Sequence, residues 1–235
     1  MPINAKEKII VALDVPNRKE ADTVLKKLTG HLNWIKIGLQ LYTAEGPDIV
    51  RLARDYGFRV FLDLKFHDIP NTVQHAVQSA GALGVELLTV HTLGGPEMLK
   101  AAAEAANAAN IRLLGVTLLT SMDAPQCAAI GLPTEIPEQV LRLGNLAKNS
   151  GLQGVVASPL ETEMLRKNLG KDFCLVIPGI RPAGTALGDQ KRILSPADAI
   201  RAGASYLVIG RPITAAPDLM LALAAIDDEL QAVKM

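Results

Sequence analysis

Eight short apolar runs recur along the chain, and each leads into a stretch with helical periodicity. The early runs return about every 26 residues, the length of one strand–helix unit. They span Lys8–Asp14, Trp34–Gly38, Arg59–Lys65, Val85–His91, Ile111–Leu119, Gly154–Ser158, Phe173–Pro178 and Ala204–Gly210. Most are nearly continuous in apolar residues rather than alternating. A strand needs that only when both faces are covered, as in a parallel sheet wrapped by helices. Helices are expected over Arg18–Leu28, about Gly46–Tyr56, about Thr72–Leu83, Pro96–Ala109, about Glu138–Ser150, Glu161–Leu169, Ser195–Ala202 and Pro217–Val233. Eight such units predict an α/β fold closed as a (β/α)8 TIM barrel, near its usual length. A doubly wound open sheet is the alternative. It calls for a glycine-rich turn after the first strand, where Asp14-Val-Pro-Asn17 stands instead.

No shift in composition marks a second domain, so residues 1–235 are expected to form one barrel domain. The loop over 181–190, Arg-Pro-Ala-Gly-Thr-Ala-Leu-Gly-Asp-Gln, reads as an active-site cover rather than a linker. Lys+Arg and Asp+Glu are equal at 24 each, which argues against a nucleic-acid or anionic-membrane surface. No apolar run approaches the length of a membrane span, and the N-terminus lacks a signal pattern. Cys127 and Cys174 have no metal-ligand spacing and sit in apolar settings. A reducing, cytoplasmic setting is the expectation.

In such a barrel the working residues lie at the C-terminal ends of the strands. In chain order these are Asp14, Lys36, Asp63 with Lys65 and Asp68, His91, Thr120 with Ser121, Arg181 and Arg211. The densest stretch is Val60–Thr72. Asp63 and Lys65, two apart on a strand, are expected to share a face, and Pro70 ends the strand. Lys36, inside the apolar run Trp34-Ile-Lys-Ile, needs a carboxylate partner, and Asp63 is the expected one. These residues alone also fit a structural ion-pair cluster. A phosphate site is expected from Pro178-Gly-Ile-Arg181 and Ile209-Gly210-Arg211-Pro-Ile, after strands seven and eight. Gly210 would admit backbone N–H groups to an anion, and Arg211 would supply a bidentate fork. A plain turn with a surface arginine is the other reading. Gln190 could reach the same ligand from the cover loop. His91 is expected to be a hydrogen-bonded barrel residue ahead of an acid or base. His67 and His75 lack paired ligand spacing, so no metal site is expected.

With Ala-Leu-Asp14 and Lys36-Ile-Gly, the run Asp63-Leu-Lys65-Phe-His-Asp68-Ile and the two phosphate segments resemble the bacterial type of the orotidine 5'-phosphate decarboxylase family. The resemblance covers the whole chain in order. It implies conversion of orotidine 5'-monophosphate to UMP and carbon dioxide without a metal or organic cofactor, in pyrimidine biosynthesis. It further implies Lys65 as proton donor, within an alternating array of Lys36, Asp63, Lys65 and Asp68. Asp14 and Lys36 would bind the ribose hydroxyls, and Thr120 or Ser121 would lie near the pyrimidine. Pro178, Arg181, Gln190, Gly210 and Arg211 would lie near the phosphate. Asp68, Ile69 and Thr72 would reach a partner subunit's site, making a homodimer. The rival is a sugar-phosphate decarboxylase or aldolase of the same barrel superfamily. Those relatives carry a metal-binding carboxylate on strand two, where this chain has Lys36.

Overall fold

The computed structural model describes residues 3–182 and 194–233. Eight parallel strands close a barrel in sequence order: β1 (Ile9–Ala12), β2 (Trp34–Gly38), β3 (Arg59–Phe66), β4 (Leu87–His91), β5 (Arg112–Val116), β6 (Gly154–Val156), β7 (Cys174–Ile177) and β8 (Tyr206–Ile209). Closure is made by β1 against β8, with Ile10 paired to Val208. Helices follow the strands and cover the outside, as the doubly buried strands require.

Side-chain alternation sorts the strands into two cores. Ile9, Val11, Ile35, Ile37, Val60, Leu62, Leu88 and Val90 face the helices. Ile10, Ala12, Trp34, Phe61, Leu87, Leu114, Val176 and Val208 fill the barrel interior. Counting on by two from the interior residues gives Asp14 after Ala12, Lys36 after Trp34, Asp63 after Phe61, and Thr89 and His91 after Leu87. The interior therefore changes from apolar to polar along the strands. Each fully buried large apolar side chain contributes about 1.5–3 kcal/mol. Desolvating an ion costs several kcal/mol, so a layer such as Trp34, Phe61 and Leu87 can offset a small group of charges above it.

Some boundaries differ from the expectation. The helix predicted at about 46–56 spans Asp48–Asp55, and a further helix that was not expected, Leu39–Glu45, precedes it directly after β2. Gly46, at φ +64°, and Pro47 separate them. The helix after β3 begins at Pro70, at its first position, rather than at Thr72. The connection after β5 contains a short helix, Ala124–Ala129, started by a reciprocal capping pair of Asp123 and Gln126. Past β7, Gly179 at φ +76° turns the chain so that Ile180 bridges Leu194. The Arg181 amide donates to the Leu194 carbonyl at 3.0 Å. Residues 180–181 and Leu194, which flank the undescribed residues 183–193, are thus held side by side.

Candidate active site

A cavity of about 440 Å³ opens among the C-terminal ends of the strands. Asp14, Lys36, Asp63 and Lys65 line it at and beyond the ends of β1, β2 and β3, and Thr120, Pro178, Arg181, Gly210 and Arg211 line it beyond β5, β7 and β8, with Gly210 next to Asp14. Phe61, Val116, Leu118, Val156 and Val208 supply apolar wall between them. A ligand held here would meet an apolar slot flanked by fixed charges.

Asp63 is the hub of the charged side. Its Oδ1 accepts from Lys65 Nζ at 2.9 Å, and its Oδ2 lies 3.6 Å from Lys36 Nζ. Lys36 Nζ reaches Asp14 Oδ1 more closely, at 3.1 Å. The Lys36 and Asp63 side chains are only 11% and 13% exposed, against 30% for Lys65. Burial by itself would raise the Asp63 carboxyl. The charges of Lys36 and Lys65, with hydrogen bonds from Lys65 and Thr89, outweigh it and hold Asp63 below the ordinary carboxylate value. Asp63 is therefore an anion that fixes two ammonium groups within one wall of the cavity.

Simple strand alternation does not deliver Lys65. Between Leu62 opposite Leu88 and Phe66 opposite Val90, the residues Asp63, Leu64 and Lys65 stand against Thr89 alone. Lys65 itself sits at φ +52°, a left-handed conformation uncommon outside glycine. The shared face expected for residues 63 and 65 is reached through this bulge, which turns the Lys65 side chain back onto Asp63.

In the same cavity, burial lowers the Arg181 guanidinium from its ordinary value, and the nearby Arg211 charge lowers it further. Arg181 Nε is buried with no hydrogen-bond partner among the described residues. A guanidinium stays charged under such shifts. Two like charges held close, one with an unused buried donor, form a site that favours a polyvalent anion.

Other expected site residues fall elsewhere. Ser121 is exposed and does not line the cavity, unlike Thr120. Asp68 and Thr72 are exposed, and Ile69 is 66% exposed; within one chain none lines the cavity. Asp68 Oδ1 accepts the Ile69 amide at 2.6 Å, so the single-chain array runs Asp14–Lys36–Asp63–Lys65 without it. Gln190 and most of the 181–190 loop lie outside the described residues. His91 stacks on His67 with ring centroids 5.5 Å apart, and its Nδ1 is buried without the expected hydrogen bond. Sequence reasoning passed over Gln40, which lines the cavity one residue past the end of the helix-starting Gly38-Leu39 step. It also passed over Thr89.

The strand ends of this closed eight-stranded α/β barrel thus bring a lysine–carboxylate array and a pair of arginines to one cavity. Residues 7–226 match the model of the Orotidine 5'-phosphate decarboxylase / HUMPS family, and the chain belongs to that family. It is 52% identical over 225 residues to the orotidine 5'-phosphate decarboxylase of Opitutus terrae, covering 95% of this chain and 98% of that one. It is 49% identical over 241 residues to that of Moorella thermoacetica, covering 99% and 95%. The crystal structure of orotidine 5'-phosphate decarboxylase from Lactobacillus acidophilus superposes with a TM-score of 0.85 at 39% identity, covering 96% of this chain and all of that one.

Proposed function

We propose that this chain removes carbon dioxide from orotidine 5'-monophosphate to give UMP, with Lys65 delivering the proton. The bond from C6 to the carboxylate breaks, its electron pair stays on C6, and carbon dioxide leaves. The resulting anion lies in the ring plane, where the π system cannot spread it. The Lys65 ammonium gives its proton to C6 and is reprotonated from solvent. The observation that carries this reading is the Lys36–Asp63–Lys65 array lining the same cavity as Arg181 and Arg211.

An ammonium about 3 Å from the carbanion, at an effective dielectric near 20, offers roughly 5 kcal/mol before desolvation. That is short of the barrier reduction an enzyme must supply. Preorganisation supplies more: Asp63 holds Lys65 in place before the charge develops, so little reorientation is needed. Binding the phosphate between Arg181 and Arg211 fixes the remote end of the substrate and commits that binding energy to orienting the ring. Asp14 and Lys36 suit the ribose hydroxyls, as acceptor and donor.

A second copy of the chain completes this reading. Asp68, Ile69 and Thr72 stand exposed beside the end of β3, and Leu39 and Leu119, also exposed, follow the ends of β2 and β5. These apolar side chains support a homodimer in which Asp68 enters the partner's cavity. Among the described residues no helix is long and apolar enough to cross a membrane. Both cysteines are free and buried, which fits a reducing, cytoplasmic setting.

The test is the ultraviolet absorbance change of orotidine 5'-monophosphate with purified protein and with Lys65→Ala. Turnover by the wild type and none by a folded Lys65→Ala variant is the expected result. Substantial turnover by the variant refutes the role of Lys65. No spectral change with the wild type refutes the activity.

A further inference from the structure

We infer that Thr89 is the positioning residue that holds the proton donor in its working conformation. This rests on the reading of Lys65 given above and adds a part to it. Thr89 is the single β4 residue facing the three-residue bulge of β3, and it is fully buried. The bulge takes the Lys65 amide out of the regular ladder. The Thr89 hydroxyl accepts that amide at 2.9 Å and donates to Asp63 Oδ1 at 3.1 Å. Asp63 Oδ1 is also the oxygen that takes the Lys65 ammonium, at 2.9 Å.

These contacts close a ring: Lys65 amide, Thr89 hydroxyl, Asp63 carboxylate, Lys65 ammonium. One side of the ring holds the backbone of Lys65 at φ +52°, and the other holds its charged end. A left-handed conformation at a residue with a side chain persists only where surrounding contacts over-determine it. Thr89 supplies such a contact and, through the same oxygen, sets the angle of the carboxylate. It does not line the cavity, so it acts on the substrate only through Asp63 and Lys65.

Thr89→Val keeps the shape and removes the hydroxyl, whereas Thr89→Ser keeps the hydroxyl. In Thr89→Val the Lys65 amide loses its acceptor, and the donor drifts from its place. Misplacement of a catalytic group by about 1 Å is worth up to roughly 100-fold in rate. The expected result is a 10- to 100-fold fall in kcat (about that range) with UMP affinity close to wild type, and recovery of most of the rate in Thr89→Ser. A wild-type kcat in Thr89→Val, a Thr89→Ser variant as slow as Thr89→Val, or a parallel loss of UMP affinity overturns the inference. Native-state hydrogen exchange on the unaltered protein decides the matter if Thr89→Val does not fold. The Lys65 amide should then exchange slowly, and exchange as fast as at the exposed Asp68 overturns the inference. Lys65→Ala measured alongside separates the two levels. An active Lys65→Ala sinks the underlying reading, and an inactive Lys65→Ala beside an unimpaired Thr89→Val sinks only the role of Thr89.

Discussion

A Cβ on Gly38 would stand 2.9 Å from the Lys36 ammonium nitrogen and 3.5 Å from Asp14 Oδ1. Gly38 ends β2 and has an ordinary extended backbone, φ −100° and ψ −176°. Its missing side chain is therefore needed for the space it leaves to Lys36, rather than for a special backbone shape. Gly38→Ala should leave the melting temperature within a few degrees while pushing Lys36 away from Asp14 and Asp63. We expect kcat/KM to fall about tenfold or more. Steady-state kinetics beside a thermal melt check this, and a large loss of stability with unchanged kinetics contradicts it.

Arg211→Ala should weaken the reaction through the phosphate alone. A charge-assisted hydrogen bond is worth about 1.5–3 kcal/mol, or roughly 10- to 100-fold in kcat/KM. The same variant acting on the nucleoside orotidine, which has no phosphate, should match the wild type acting on orotidine. An equal loss on both substrates would place Arg211 elsewhere in the mechanism.

Asp68 and Lys65 should complement one another across subunits. Lys65→Ala and Asp68→Asn should each be nearly inactive alone. In randomly mixed dimers roughly a quarter of the sites would combine an intact Lys65 with an intact Asp68 from the partner. Mixing the two variants under conditions that exchange subunits, then assaying, measures the recovery. Mixed dimers that regain nothing rule out a shared site.

Stability should decline on mild acidification because of His91. Burial first, then the charges of His67 and Lys65, lower the His91 pKa from the ordinary value. The unfolded chain takes up this proton near pH 6.5, and the folded chain only at lower pH. Below about 6.5 the unfolded state holds more protons, so folding free energy is lost as pH falls. Asp63, also lowered, adds a loss of the same sign only below its ordinary value, about 4. Melting temperatures at about pH 7.5 and about pH 5.5 should differ less in His91→Gln than in the wild type. An identical slope removes His91 from the account.

The barrel was legible because each strand is buried on both faces, and burial leaves a direct mark on composition. Trp34-Ile-Lys-Ile could be read further: one charge at an interior position of such a strand had to find a carboxylate, and Asp63 is within reach. That Asp14 lies closer to Lys36 was not legible, because it depends on how β1 and β2 align. Thr89 escaped notice for a physical reason. Threonine is an ordinary strand residue, and its hydroxyl gains significance only when the bulge places it opposite Asp63 and Lys65. The helix Ala124–Ala129 does leave a sign in the sequence, an aspartate three residues before a glutamine, but the sign is weak within a polar connection.

The bridge from Ile180 to Leu194 separates two kinds of evolutionary freedom. Since the chain departs and re-enters at neighbouring points, additions or deletions over 183–193 need not alter how β7 meets β8. Arg181 stays anchored through its amide whatever length of chain follows it. Descendants of this sequence could thus lengthen or shorten the chain between residues 182 and 194 while Arg181 kept its footing beside Leu194.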